Sequence, residues 1–133
     1  MKKALIIVGG ASNIAGNYLD LKTNEKKRYD EIHLCDVKHI ERQKELRTYH
    51  HEKCIGEEFY RNLFKKLSNE FRLDVIVFAA IDFPVIEGKE FGSGFTPSSD
   101  DLRKVLEVNT VLPYILAKTL IELKTRETRL ILI

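Results

Sequence analysis

Lys3-Ala4-Leu5-Ile6-Ile7-Val8 runs without a break into Gly9-Gly10-Ala11-Ser12-Asn13-Ile14-Ala15-Gly16, and that junction constrains the fold more than any other stretch. A short, unalternating apolar run reads as a strand buried on both faces. The small residues behind it permit a tight turn, and glycine removes the Cβ that would hold the backbone away from a bound group. Strand, tight turn and helix start together bring bare main-chain amides up to a phosphate. A second apolar run, Ile32-His33-Leu34-Cys35, ends in Asp36. A carboxylate at that place holds the hydroxyls of an adenosine ribose in dinucleotide-binding α/β folds.

The rest of the chain alternates strand and helix. Strands are expected over residues 3–8, 31–36, part of 47–54, 74–79 and 129–133. Helices are expected from about residue 13 into the polar stretch 22–27, over 40–46, over 57–71 and over 101–124. In the third of these, Phe59, Leu63, Phe64 and Leu67 form one apolar stripe. Residues 82–97 read as a loop rich in Gly, Ser and Pro, and Ser98, Ser99 and Asp100 offer caps for the last helix. Strands one, four and five lack alternation, which indicates burial on both faces of a parallel sheet. The expected architecture is a doubly wound parallel α/β sheet of about five strands with Rossmann-type topology, in a single domain spanning residues 1–133.

Composition excludes several alternatives. The 133 residues are 44% hydrophobic and 32% charged, with a formal net charge of +2, so nothing global drives the chain toward nucleic acid or membrane. No apolar run approaches the roughly 20 residues that span a bilayer. Met1-Lys2-Lys3 is basic, but the apolar stretch behind it is short and ends in glycines, which suits a first strand better than a signal peptide. Cys35 and Cys54 form no CxxC pair and read as reduced thiols of a cytoplasmic protein. His33, His39, His50 and His51 fit no metal-ligand spacing with Cys or Asp, so no metal is expected.

Three segments, in order, resemble the short-chain dehydrogenase/reductase family. The stretch from Val8 to Ala15 aligns with the TGxxxGxG signature: Gly9 is kept, Val8 stands for Thr, Asn13 for the second Gly and Ala15 for the third. Asn visits left-handed backbone conformations more readily than most residues, and Ala at the third position still permits helix–strand packing. Leu73-Asp74-Val75-Ile76-Val77-Phe78-Ala79-Ala80 resembles the family's strand four and the NNAG motif that ends it, with Phe78 and Ala79 at the two Asn positions and Ile81 in place of Gly. Leu102 to Lys118 is similar to the family's long central helix, with Asn109 on the helix Asn that many members use in catalysis. Pro113 follows four residues later. A proline inside a helix cannot donate to the carbonyl at i−4 and pushes it aside, so the carbonyl released is that of Asn109, the one that in the family holds a water of the proton relay.

The resemblance implies an NAD(P)-dependent oxidoreductase, or a sugar-nucleotide epimerase or dehydratase of the family's extended branch. It implies cofactor contacts at Gly9, Ser12, Asn13, Ile14, Asp36, Ala79 and Ala80, and a catalytic role for Asn109. Asp36 favours NAD over NADP, because a carboxylate there repels a 2′-phosphate. The family's Ser after strand five and the Tyr-x-x-x-Lys beyond it have no counterpart before Ile133, so the chain is expected to be a cofactor-binding portion without turnover of its own, lacking the C-terminal part of the family fold. Tyr18, Tyr49 and Tyr114 each have a Lys four residues on, but none follows strand five; Tyr114 with Lys118 reads as a core Tyr and a surface Lys. A non-catalytic dinucleotide-binding module and an S-adenosylmethionine-binding domain are the other readings. An uncovered apolar edge at Leu130–Ile133 leads to an expectation of self-association.

Overall fold

The computed structural model describes residues 2–9, 18, 28–36, 48–51, 56–78, 98–124 and 128–133. Strands β1 (Lys2–Val8), β2 (Glu31–Asp36), β3 (Thr48–His51), β4 (Phe71–Val77) and β5 (Arg129–Leu132) form one sheet in the order β3-β2-β1-β4-β5. Every pairing is parallel. β1 lies at the centre, with β2 on one side and β4 on the other, so the chain's crossovers diverge there. Successive strands of such a sheet need helical crossovers, and two of them are described: α1 (Glu57–Ser68) before β4, and a long helical segment before β5.

The apolar runs of β1 and β4 are buried as their lack of alternation requires. Ala4, Ile6, Val8, Leu73, Val75 and Val77 point to one face and meet Tyr60, Phe64, Leu116 and Leu120 of the helices. Leu5, Ile7, Ile32, Leu34, Ile76 and Phe78 form the core of the other face, with Tyr18 and Tyr29 against it. α1 begins with Glu57 and Glu58 and ends with Lys65 and Lys66, an arrangement that complements the helix dipole. Its buried stripe is Tyr60, Leu63, Phe64 and Leu67. Phe59, expected in that stripe, is half-buried at its rim and meets Tyr60 edge-on at 5.1 Å. Phe71 belongs to β4 and not to α1, because Asn69 and Glu70 turn the chain.

The last helix is three pieces in one rod: α2 (Ser99–Leu106), a π-helical turn (Glu107–Val111) and α3 (Leu112–Glu122). Ser98 caps it through a reciprocal box with Asp101: Ser98 Oγ accepts from the Asp101 amide at 3.1 Å, and the Asp101 carboxylate accepts from the Ser98 amide at 3.2 Å. α3 docks on the sheet through Leu116, Thr119 and Leu120, whereas α2 buries nothing. Glu57 and Arg61 of α1 bind Lys118 and Glu122 of α3, at 3.2 Å for Lys118–Glu57 and 2.8 Å for Arg61–Glu122.

Two sequence expectations need correction. β5 is not buried on both faces. It is the sheet's edge among the described residues, and Ile131, Leu132 and Ile133 are 42%, 57% and 65% exposed. Among the described residues it pairs with β4, and Leu130 packs on the helix side. Tyr114 is not a core residue: it is 65% exposed, because α3 turns the opposite side toward the sheet. β4 also starts earlier than expected and ends at Val77. The helices expected near residue 13 and over 40–46, and the loop over 82–97, lie outside the described residues apart from Tyr18, which is helical.

Candidate functional site

The carboxyl ends of β1, β2 and β4 make a rim at the point where strand order reverses, the place at which doubly wound sheets bind ligands. β1 ends at Val8, and Gly9 takes a φ of 83°. Side chains rarely adopt that left-handed region, so glycine is what lets the chain leave the strand here. The Gly9 amide donates to the Cys35 carbonyl at 2.8 Å, and the Phe78 amide donates to the Val8 carbonyl at 2.8 Å. The first bond sets the turn beside Asp36. The second ties the end of β4 to the end of β1.

Asp36 is the last residue of β2, half-buried at that rim. Its neighbour Cys35 points into the core and is fully buried; burial, with the Asp36 charge adding, pushes the Cys35 thiol up to about 12. Phe78 turns its ring into the core, 6% exposed, with Tyr18 at 5.7 Å. Gly9 and Asp36 are therefore brought together on adjacent strand ends. Ser12, Asn13, Ile14, Ala79 and Ala80 lie outside the described residues.

Asn109 sits in the π turn, on an exposed stretch of the rod. The Leu112 amide donates to the carbonyl of Glu107, five residues back, and Pro113 follows at the start of α3. A proline that cannot donate at i−4 is accommodated by this widening. The rod from Ser99 to Glu122 is about 35 Å long, against about 23 Å for the seven residues of β4. It runs back from the carboxyl end of β4 to the amino end of β5, and α3 covers the sheet, so α2 and Asn109 lie toward the rim.

One cluster escaped the sequence reading. Asp74, 8% exposed in the middle of β4, accepts from the Tyr29 hydroxyl at 2.7 Å and from Arg129 through both oxygens. The signal was available: an acid inside an otherwise apolar strand needs a partner. Among the described residues no group of three or more His, Cys, Asp and Glu side chains could hold a metal ion, and no helix is long and apolar enough to cross a membrane.

The donor set at the rim suits a dinucleotide: a glycine turn that admits close backbone approach, and a carboxylate one strand away for a ribose. No family model and no curated protein matches the sequence. Solved structures do match. An aldohexose dehydrogenase of Thermoplasma acidophilum in ligand-free form is similar at 14% identity and a TM-score of 0.63, over 91% of this chain and 44% of that one. A short chain dehydrogenase family protein of Francisella tularensis matches at 17% identity and 0.62, over 92% of this chain and 46% of its own. The dTDP-glucose 4,6-dehydratase of Bacillus anthracis, in complex with NAD, matches at 12% identity and 0.61, over 98% of this chain and 36% of its own. The chain thus spans less than half the length of each of these proteins, and it shares with them the parallel Rossmann-like α/β fold of short-chain dehydrogenases and related NAD-dependent dehydratases.

Proposed function

We propose that the chain is the cofactor-binding portion of an NAD-dependent oxidoreductase of the short-chain dehydrogenase/reductase kind. The observation that carries this reading is the Gly9 turn, left-handed and hydrogen-bonded beside Asp36, at the divergence of β1 and β4. In this proposal the amides of Ser12, Asn13 and Ile14 hold the pyrophosphate, Asp36 holds the adenosine ribose and selects NAD over NADP, and Ala79 and Ala80 line the adenosine side. Asn109 belongs to the catalytic relay through its main-chain carbonyl. The setting is cytoplasmic, and the 133-residue chain by itself binds cofactor without turning over. The fold shared with a sugar-nucleotide dehydratase supports a second reading, the extended branch of the same chemistry.

Calorimetric titration of the purified chain tests this. NADH is expected to bind saturably, NADPH more weakly, and S-adenosylmethionine not at all. Asp36→Ala is expected to weaken NADH by roughly tenfold, the scale of losing hydrogen bonds to a charged group. Binding of S-adenosylmethionine in place of NADH, or of neither, overturns the reading. Tyrosine-dependent dehydrogenase activity of the isolated chain overturns the part that denies it turnover.

A further inference from the structure

The rod between β4 and β5 is fastened at one end and loosely held at the other. α3 is seated on the sheet by Leu116, Thr119 and Leu120, all buried, and tied to α1 by Lys118–Glu57 at 3.2 Å and Arg61–Glu122 at 2.8 Å. α2 has no buried residue. Asp101 and Val105 are half-buried on its inner side, while Leu102 and Leu106 are 46% and 47% exposed. An element with few buried apolar contacts opens at a low free-energy cost. α2 nevertheless keeps its own shape: Ser98 and Asp101 cap it reciprocally, and Arg103 pairs with Asp100 at 3.1 Å. An element braced internally but weakly docked moves as a body.

The joint is the π turn at Glu107–Val111. There the main-chain bond reaches the fifth residue back, so the ladder changes register, and Pro113 brings no amide to it. Helices bend at such places. The reach of the arm follows from length. The rod from Ser99 to Glu122 outruns β4 by about 12 Å, and with α3 seated on the sheet the excess falls on α2, past the carboxyl ends of β1 and β4. That is the rim where Gly9 and Asp36 meet. The arm carries two uncovered leucines and, in its last turn, Arg103 and Lys104, a combination suited to a ligand whose flat rings are joined by phosphates.

We propose that α2 is a hinged arm that rocks about the π turn while α3 stays seated, and that a bound nicotinamide dinucleotide draws it down over the rim. The hinge stands on the helix geometry alone; the choice of ligand rests on the cofactor reading above. A ligand shifts a conformational equilibrium only by its differential affinity for the two states. Here the difference lies in contacts that only the closed arm makes, as Leu102 and Leu106 leave water. The same tilt moves Asn109, which lies inside the joint, relative to the site.

Distances between paired spin labels test this, with Lys65→Cys on α1 combined with Lys104→Cys on α2 or with Tyr114→Cys on α3, in a Cys54→Ser background where Cys35 is buried. In the free chain the Lys104 pair is expected to show a distance distribution at least about twice as broad as the Tyr114 pair. Saturating NADH is expected to narrow and displace it while the Tyr114 pair stays unchanged. Pro113→Ala returns an amide to the joint and is expected to bring the free-chain width of the Lys104 pair close to that of the Tyr114 pair. Equal widths in the free parent chain overturn the hinge, and so does indifference to Pro113→Ala. Calorimetry on the same labelled chains separates the two readings. NADH that binds without moving the Lys104 pair overturns the closure and leaves the cofactor reading intact. Absence of binding overturns the cofactor reading and the closure together, and the hinge is then decided by the free-chain widths.

Discussion

Arg129 grips Asp74 with two arms: Nε donates to Oδ1 at 2.9 Å and Nη2 to Oδ2 at 2.6 Å, between register partners on β5 and β4. The Tyr29 hydroxyl donates to the same carboxylate at 2.7 Å. The edge strand is thereby pinned to the sheet at its first residue, on the face opposite α1 and α3.

The hydrogen bonds from Arg129 hold the Asp74 carboxyl below the usual carboxylate range, against the opposing effect of burial, and the bond from Tyr29 acts in the same direction as Arg129. A depressed native value means that the stabilisation is complete above the unfolded Asp value, about 3.9, and is lost as pH falls from there through the native value. Asp74→Asn is expected to be less stable than the parent by about 1–2 kcal/mol at pH 7, a modest figure because Arg129 remains in contact with water. Urea unfolding at a series of pH values checks this. The gap between the two proteins should narrow below about pH 4; a gap that stays constant contradicts the assignment.

Gly9 offers a test of the turn at the rim. Its φ of 83° lies where a β-branched side chain is strained, and its amide is committed to the Cys35 carbonyl. Gly9→Val is therefore expected to cost about 1–3 kcal/mol, and Gly9→Asn distinctly less, since Asn tolerates the left-handed region. Thermal unfolding of the pair measures the difference. Equal loss in both variants would mean that backbone conformation is not the cause.

The Ser98 cap makes a smaller, local prediction. Its hydroxyl accepts from the Asp101 amide at 3.1 Å, and the Asp101 carboxylate answers. α2 buries no residue, so the cap is the main feature holding its first turn. Ser98→Ala is expected to cost about 1 kcal/mol and to speed amide exchange in residues 99–102, while the amides of α3 keep their protection. Uniform acceleration along the whole rod would show that α2 and α3 open as one unit.

Much of this fold was legible because burial leaves a simple mark. β1 and β2 stand within a residue of where their apolar runs put them, and Gly9 and Asp36 follow from the ends of those runs. Of the three cap candidates Ser98, Ser99 and Asp100, the structure uses Ser98, so the helix starts two residues before 101. β5 misled because Leu130, Ile131 and Leu132 are as apolar as a central strand while pairing, among the described residues, with β4 alone, and a strand's neighbour count is not written in the strand. Tyr114 misled for a related reason: the π turn shifts the helix phase by one residue, and a period read along an unbroken helix cannot register that. The Tyr29–Asp74–Arg129 cluster joins residues far apart in the chain, and only the sheet register shows that Arg129 lies beside Asp74.

Cys35 supplies a final prediction, one that separates burial from chemistry. The thiol is fully buried between the sheet and the helices. Burial, then the charge of Asp36, pushes it from an ordinary value of 9.0 to about 12. The thiolate is the reactive form, so a buried thiol with a raised pKa is inert. In a Cys54→Ser variant, where Cys35 is the one thiol left, a disulfide reagent at pH 8 is expected to leave the folded chain unlabelled and to react fully in denaturant. The sign of the linkage follows from the raised value: the native state holds the proton more tightly, so its stabilisation is intact below the unfolded thiol pKa and drains away as pH rises through 9 toward 12. Cys35→Ala should flatten that alkaline decline while leaving a cavity cost at neutral pH. Rapid labelling of the folded variant would place Cys35 at the surface and undo the packing described for the end of β2.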